Sequence, residues 1–290
     1  MIQVSLQALL EAGCHFGHKA ERWNPRASIF IYTEKDGIHI IDLAKTKAAL
    51  EAAATFIRDI VARGDEVLFV ATKRQAKDIV RLEAQAVGAP YLVERWIGGF
   101  LTNWDSIKKN IEKINRLTDE QEHDGWKRFP KHEQSKLGRY LKRLRVFYGG
   151  VLSFTAVPAA LFVIDIRKED AAVREATRRG LPVVGLVDTN SDPNTVEYPI
   201  PGNDDAVGSI ALIAHTIALA YKEGKDAREK VLVQLAQDAE AAKAKAEKEA
   251  GKELTHDASA PAEAAKNPPV GGAVAEKPVV AKKTRAKKIV

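Results

Sequence analysis

The sequence predicts an α/β fold, a parallel sheet with helices on both faces, carrying an inserted antiparallel pair of helices and a basic tail. Three observations predict it. Short, continuous runs of branched apolar residues at Val67–Ala71, Ala160–Ile164 and Val183–Val187 read as strands buried on both faces, and they alternate with helical stretches. Two amphipathic helical stretches, 105–117 and 131–147, follow one another with no strand between them and so form an insertion. After Tyr221 the composition turns to Ala, Lys and Glu, and later to Pro, Ala and Lys.

Taken in order, Ser5 caps a short helix over Leu6–Ala12, with Leu6, Leu9 and Leu10 on one face and Gly13 beyond its end. An irregular, aromatic and basic stretch, His15–Asn24, follows. Ile29–Thr33 and Ile38–Ile41 form a hairpin around Glu34–Gly37, with Gly37 supplying a positive φ. Lys45–Ala62 is a helix by the spacing of Leu50, Ala53, Ala54, Ile57 and Val61, and Gly64 ends it. The strand Val67–Ala71 leads to a helix over Gln75–Val87 and a short strand at Tyr91–Val93. In the insertion, Ile107, Ile111, Ile114 and Leu117 face a second stripe of Leu137, Tyr140, Leu141, Leu144 and Phe147, so the two helices pair and leave their basic residues outside. Asp170–Arg179 is a helix between two sheet strands, Tyr198–Ile200 a short apolar run, and Ser209–Tyr221 a helix with Ile210, Ile213, Ala214 and Ile217 inward. The expected organisation is a sheet domain over 1–103 and 148–224, a helical hairpin over 104–147, a charged Ala-rich helix over 225–254 and a disordered tail over 255–290.

Charge is unevenly spread. The 290 residues carry 45 Lys and Arg against 39 Asp and Glu, a net charge of +6. Segment 104–147 holds 12 basic and 7 acidic residues and segment 225–290 holds 14 and 10, which leaves the remainder slightly acidic. A faintly acidic body with basic appendages points to a polyanionic partner. No run approaches the ~20 apolar residues of a membrane helix, and no secretory leader is visible. The lone cysteine, Cys14, excludes an intramolecular disulfide and a Cys-rich zinc site. The expectation is a soluble, cytoplasmic protein with no membrane partner.

Parallel sheets often serve nucleotide enzymes, yet neither Gly-x-Gly-x-x-Gly nor a phosphate-cradling Gly-x-x-x-x-Gly-Lys motif is present, and no Gly-x-Ser-x-Gly elbow occurs. Gly98-Gly99 and Gly149-Gly150 flank the insertion and read as hinges. Cys14 beside His15 reads as a small buried thiol rather than a nucleophile with its base. No catalytic residue and no small-molecule substrate are expected. What remains is aromatic and basic residues in loops: Arg22-Trp23-Asn24 with Arg26, Arg95-Trp96, and Asn103-Trp104, while Trp126 lies in the hairpin connector. Exposed rings stack on bases, and Arg, Asn and Thr reach phosphates and sugar hydroxyls, which suits structured RNA; the same tryptophans can equally plug the gap between sheet and insertion. The candidate RNA-binding set is Lys19, Arg22, Trp23, Arg26, Lys73, Arg74, Arg95, Trp96, Thr102, Asn103, Trp104, Lys108, Lys109, Arg139, Lys142 and Arg143.

Several blocks carry a specific likeness. Leu9–Pro25, with its Gly-Cys-His-Phe-Gly-His-Lys core, resembles the opening signature of the bacterial small-subunit ribosomal protein two family. Ala71-Thr72-Lys73-Arg74-Gln75-Ala76, Arg95–Asn103, Val187–Pro193 and Pro199–Ala206 are similar to its later blocks, in consistent order over residues 3–222. Ala27, Ile29, Ala71, Val93, Gly208 and Thr155-Ala156-Val157 depart from the family pattern. The resemblance implies a flavodoxin-like domain with a protruding helical hairpin. It also implies contacts with small-subunit ribosomal RNA and with neighbouring ribosomal proteins, including the large messenger-binding protein, on a cytoplasmic ribosome. The competing expectation is an enzymatic or ligand-binding α/β domain that uses the crevice at the carboxyl ends of the strands.

That edge raises one further expectation. Asp188 follows one strand, Asp204 and Asp205 follow another, and His18 lies in the N-terminal block. No cofactor is required for RNA binding, but these four residues can hold a divalent ion: Mg²⁺ through carboxylates alone, Zn²⁺ if the imidazole joins. Alternatively, Asp204 or Asp205 caps the final helix, Asp188 caps a turn with Asn190, and His18 contacts RNA or backbone.

Overall fold

The computed structural model describes residues 4–256, with helix α7 assigned to its end but side chains described mainly to Leu235. The expected tail falls, from residue 257 onward, outside the described residues. A contiguous unit spans Met1–Ala236; in the second unit, Gln237–Val290, the described part is helical to His256.

The first unit contains two sheets. The smaller has the order β1-β3-β2, from β1 (Phe16–Lys19), β2 (Ile31–Lys35) and β3 (Ile38–Ile41), all antiparallel. Strand β1 falls in a stretch expected to be irregular. Its sequence, Phe-Gly-His-Lys, has no apolar alternation; β1 exists because its backbone pairs with β3, while Gly17 lets it approach Thr189 and the His39 carbonyl, which a Cβ would meet at 2.7–3.0 Å. The hairpin turn is two residues, Asp36 and Gly37, at φ 53° and 73°, the primed geometry that matches strand twist. Its first strand starts later than Ile29 because Pro25–Phe30 forms a 3₁₀ turn capped by the Asn24 side chain.

The larger sheet is wholly parallel: β4 (Val67–Val70), β5 (Tyr91–Leu92), β6 (Ala160–Ile164), β7 (Val183–Val187) and β8 (Tyr198–Pro201), ordered β5-β4-β6-β7-β8. Counting only these five strands, this is the 2-1-3-4-5 order of the flavodoxin-like fold. The expected short run at Tyr198–Ile200 is thus a full edge strand. Strand alternation divides the core into two layers. Val67, Phe69 and Phe162 face α2 (Leu43–Arg63), α3 (Lys77–Val87) and the first part of α7 (Val207–His256), with Leu9 of α1 (Leu6–Glu11) added at the end. Leu68, Val70 and Val163 face α6 (Asp170–Arg179) and the root of the inserted hairpin, α4 (Trp104–Glu122) with α5 (Lys131–Tyr148).

Within the hairpin seam, Ile107, Ile111, Ile114 and Leu117 of α4 are buried as expected. Of the expected α5 stripe only Leu141 is fully buried; Leu137, Tyr140, Leu144 and Phe147 pack partly buried against the same core, and Tyr148 joins them. Trp126 in the connector is also buried, so it covers the tip of the seam and offers no stacking face. Gly150, read as a hinge, is instead a packing glycine, because a Cβ there would lie 2.2 Å from the Tyr91 carbonyl. The helix boundary expected near residue 225 does not occur, since α7 runs through it. Gly224 lies inside the helix, and its missing Cβ lets α7 press on α2, where the Arg58 carbonyl would otherwise be met at 2.6 Å.

Candidate functional site

The carboxyl ends of the parallel strands gather charged side chains from distant parts of the chain. β4 runs out into Thr72 and Lys73, β6 into Asp165, β7 into Asp188, and β8 into Asp204 and Asp205, while β1 sets His18 alongside. Lys73 Nζ lies 2.7 Å from Asp204 Oδ1, 2.7 Å from Asp205 Oδ1 and 3.2 Å from Asp165 Oδ2. His18 Nδ1 is 3.1 Å from Asp188 Oδ2, and its Nε2 is 3.5 Å from Asp205 Oδ2. Asp165 holds a left-handed backbone, φ 64°, and its Oδ1 accepts the Lys168 N–H at 3.0 Å.

The local electrostatics follow from burial. Asp204 is fully buried, and desolvation pushes its carboxyl up to about 7; repulsion from Asp165 and Asp188 adds to this, and Lys73 offsets part of it. Burial by itself disfavours the Lys73 ammonium, but its bonds to Asp204 and Asp205 outweigh that and raise it above the ordinary lysine range. The hydrogen bond to Asp188 raises His18, against burial. Lys73 holds Asp205 below the usual carboxylate range.

The four carboxylates outnumber the cations, and the second oxygen of Asp204 is buried without a hydrogen-bond partner among the described residues. His18, Asp188 and Asp204 each offer one ligand atom, and these atoms all lie within 4.8 Å of one another. One imidazole and two carboxylates make a donor set that fits Zn²⁺ better than Mg²⁺. The capping alternative holds only in part. Asn203 Oδ1 accepts the N–H groups of Asp205 and Ala206 at 2.8 and 3.0 Å and so closes the turn that precedes α7, while Asp204 and Asp205 turn to Lys73. The Asp188 side chain does not reach Asn190: the Asp188 carbonyl closes the turn by accepting the Ser191 N–H at 3.1 Å, and its carboxylate accepts the Thr189 N–H and the Asp204 N–H, the latter at 3.3 Å.

The crevice between β4 and β6, where open α/β sheets bind ligands, is filled by the protein's own groups. Buried Glu169 accepts the Thr72 N–H at 2.8 Å and the Thr72 hydroxyl, and Lys168 Nζ donates to the Thr72 carbonyl at 3.1 Å. Cys14 is fully buried, and burial raises its thiol, as an inert cysteine requires.

The candidate RNA-binding residues separate into two groups. Lys19, Arg22, Arg26, Arg74, Arg95, Thr102, Asn103, Lys108, Lys109, Arg139, Lys142 and Arg143 are exposed, as is Trp23, which leans on His39 with centroids 5.2 Å apart. Arg26 is paired with Asp192. Three do not match the expected exposure. Lys73 is turned into the carboxylate cluster. Trp96 is buried, its Nε1 donating to Glu175 at 3.1 Å. Trp104 packs edge-on against Phe100 and Phe154, with centroids 5.6 and 6.1 Å apart. The sequence reading missed Asp165, Glu169 and Glu175. The first could have been found as a polar residue directly after a buried strand; the other two sit on or beside a helix and carry no such signal.

A crevice filled by the protein's own groups, beside a helical hairpin that displays exposed cations, has the character of a binding protein. The family described as Ribosomal protein S2 matches residues 9–224 of this sequence. Over 232 residues, 80% of this chain and 87% of the relative, the sequence is 49% identical to small ribosomal subunit protein uS2 of Coprothermobacter proteolyticus. It is 44% identical over 228 residues to the uS2 protein of Opitutus terrae, covering 79% of this chain and 76% of that one. The uS2 protein of Corynebacterium glutamicum strain R is 44% identical over 240 residues, 82% and 91% of the two chains. The chain belongs to the ribosomal protein S2 family, whose members are structural, non-enzymatic constituents of the small ribosomal subunit.

Proposed function

We propose that this chain performs its structural role in the small subunit by laying the exposed face of its hairpin, with the exposed basic loops, on ribosomal RNA. One observation carries the assignment. Near the hairpin tip, Lys127 and Arg128 are spent on Asp124 and Glu120, whereas Lys108, Lys109, Lys142 and Arg143 form no ion pair among the described residues. Exposed cations left without an ion-pair partner on a folded surface are available to phosphates, and each such pairing releases counterions. Replacing Lys108, Lys109, Arg139, Lys142 and Arg143 by Gln should weaken binding to small-subunit RNA. Every cation–phosphate pair removed in this way should flatten the logarithmic salt dependence by up to about one unit, by analogy with duplex DNA. Unchanged affinity with an unchanged slope would reject the hairpin as the interface. The finer partners, neighbouring ribosomal proteins including the large messenger-binding protein, and a cytoplasmic ribosome, are tested by co-sedimentation of tagged protein with small subunits.

A second reading concerns the carboxyl edge. We propose that His18, Asp188 and Asp204 hold one divalent ion, Zn²⁺ in preference to Mg²⁺, with Asp205 beside them. The orphaned Asp204 oxygen supports it, since a buried carboxylate oxygen is costly without a donor or a metal. The ion would tie β1 of the small sheet to the ends of β7 and β8. Protein dialysed with excess Zn²⁺ or Mg²⁺ and then freed of loose ion should retain close to one Zn²⁺ per chain, and less after His18→Ala or Asp204→Asn. No stoichiometric metal in the wild type would leave Lys73 as the cluster's cation.

A further inference from the structure

We infer that Glu175 is a positioning residue for the RNA-facing hairpin: from α6 its carboxylate sets the path of the loop 95–103 that launches α4. The inference rests on the hairpin being the RNA interface.

The loop joins β5 to α4, a route with no regular structure of its own. Its inward donors converge on one side chain. Glu175 Oε1 accepts the Trp96 indole N–H at 3.1 Å and the Gly99 N–H at 2.7 Å; Oε2 accepts the Leu101 N–H at 3.1 Å, the Thr102 N–H at 3.4 Å and the Thr102 hydroxyl at 3.3 Å. One helical turn further on, Arg179 secures the other polarity of the same backbone, donating to the Leu101 carbonyl at 2.9 Å and the Thr102 carbonyl at 3.1 Å. Gly99, at φ 83°, makes the bend that brings its N–H inward. Successive backbone N–H groups turned to one point form a concavity that binds anions, and here the protein supplies the anion itself.

Two consequences follow. The backbone N–H groups from Gly99 to Asn103 are already used, so what that part of the loop offers outward comes from the side chains of Thr102 and Asn103, which are exposed, as is Arg95 before them. The direction in which α4 leaves the body is set at the same place. Its first turn begins at Trp104, directly after the bonds at Leu101 and Thr102, and Lys108 and Lys109 lie one turn beyond. Displacing the loop therefore displaces the cations relative to the sheet while removing none of them. Glu175 acts through register, not by touching RNA itself.

A measurement separates Glu175 from a phosphate-binding residue. In full-length protein, Glu175→Gln puts an amide NH₂ among donors, and Glu175→Asp keeps the charge but falls one methylene short. Both variants should keep far-UV circular dichroism and a cooperative melt, while the amides of Gly99, Leu101 and Thr102 exchange faster. Affinity for small-subunit RNA should fall about tenfold, the worth of one charge-assisted hydrogen bond, with the salt slope unchanged. Lys108→Gln with Lys109→Gln should instead flatten the slope and leave those amides protected. Faster exchange with unchanged affinity in both Glu175 variants would overturn the inference, as would an affinity loss that came with a flattened slope. If the wild type itself bound RNA with no salt dependence, the interface assignment would fall first. That result differs from either Glu175 outcome.

Discussion

At the scale of single residues, the glycines and one glutamate make the sharpest demands. Gly185 sits in the middle of β7, where a Cβ would approach Ile166 Cγ2 to 2.5 Å and Val196 Cγ1 to 3.4 Å. Gly185→Ala should therefore cost about 1–3 kcal/mol by overpacking, read as a lower urea midpoint with an unchanged m-value. Glu175 makes a pH-dependent contribution. Burial alone would raise its carboxyl, but the Gly99, Trp96, Leu101 and Thr102 donors outweigh it and hold it below its ordinary value of 4.5. A depressed carboxylate stabilises the fold above its unfolded-state pKa and loses that stabilisation as pH falls through the folded-state value. The difference in melting temperature between wild type and Glu175→Gln should thus be full near neutral pH and shrink in acid below 4.5. A constant difference over that range would mean that the glutamate's charge does not hold the loop.

Secondary elements were legible in proportion to how much of their stability is local. Ala160–Ile164, Val183–Val187 and Asp170–Arg179 match the structure end for end, because continuous branched runs and a capped amphipathic period identify themselves. Strand β1 did not, since its pairing partner lies some twenty residues away and its own residues carry no alternation. The start of α3 moved from Gln75 to Lys77 because the preceding turn, closed by Lys73 carbonyl bonds to the Ala76 and Lys77 N–H groups, carries Lys73 into the carboxylate cluster. The hairpin seam was legible from its stripes and should behave as one element. Ile114 is fully buried in it, so Ile114→Ala should cost about 2–5 kcal/mol. Hydrogen exchange should show the loss first in α4 and α5 amides, and only later in β6 and β7.

For the whole molecule, both apolar layers of the sheet close, among the described residues, with residues no later than Tyr221. Removing residues 255–290 should therefore leave the melting temperature unchanged, and slow association with small subunits at low salt only, where the five basic residues among 282–290 act at longest range. Failure of the truncated protein to fold, or to join subunits at physiological salt, would make that segment structural. The charge asymmetry belongs to this scale too. Segment 104–147 carries 12 basic against 7 acidic residues, while the residues outside it and outside 225–290 are slightly acidic, so a polyanion is attracted to one part of the molecule more than to the rest.

Sequence alone determined the α/β class, the inserted hairpin, the basic appendages and the family, because each depends on local periodicity, composition or contiguous motifs. Tertiary structure alone decided which of the marked residues face outward. Trp96 and Trp104 are aromatic neighbours of basic and amide residues in the sequence, just as Trp23 is, yet the first two are packed under the hairpin root and only Trp23 stays exposed. Lys73 lies in a basic motif, yet the fold turns it onto Asp165, Asp204 and Asp205, the last two more than a hundred residues away. The physical reason is common to all of them. A side chain's chemistry is written locally, whereas its solvation and its partners are fixed by which strand ends the parallel sheet brings together.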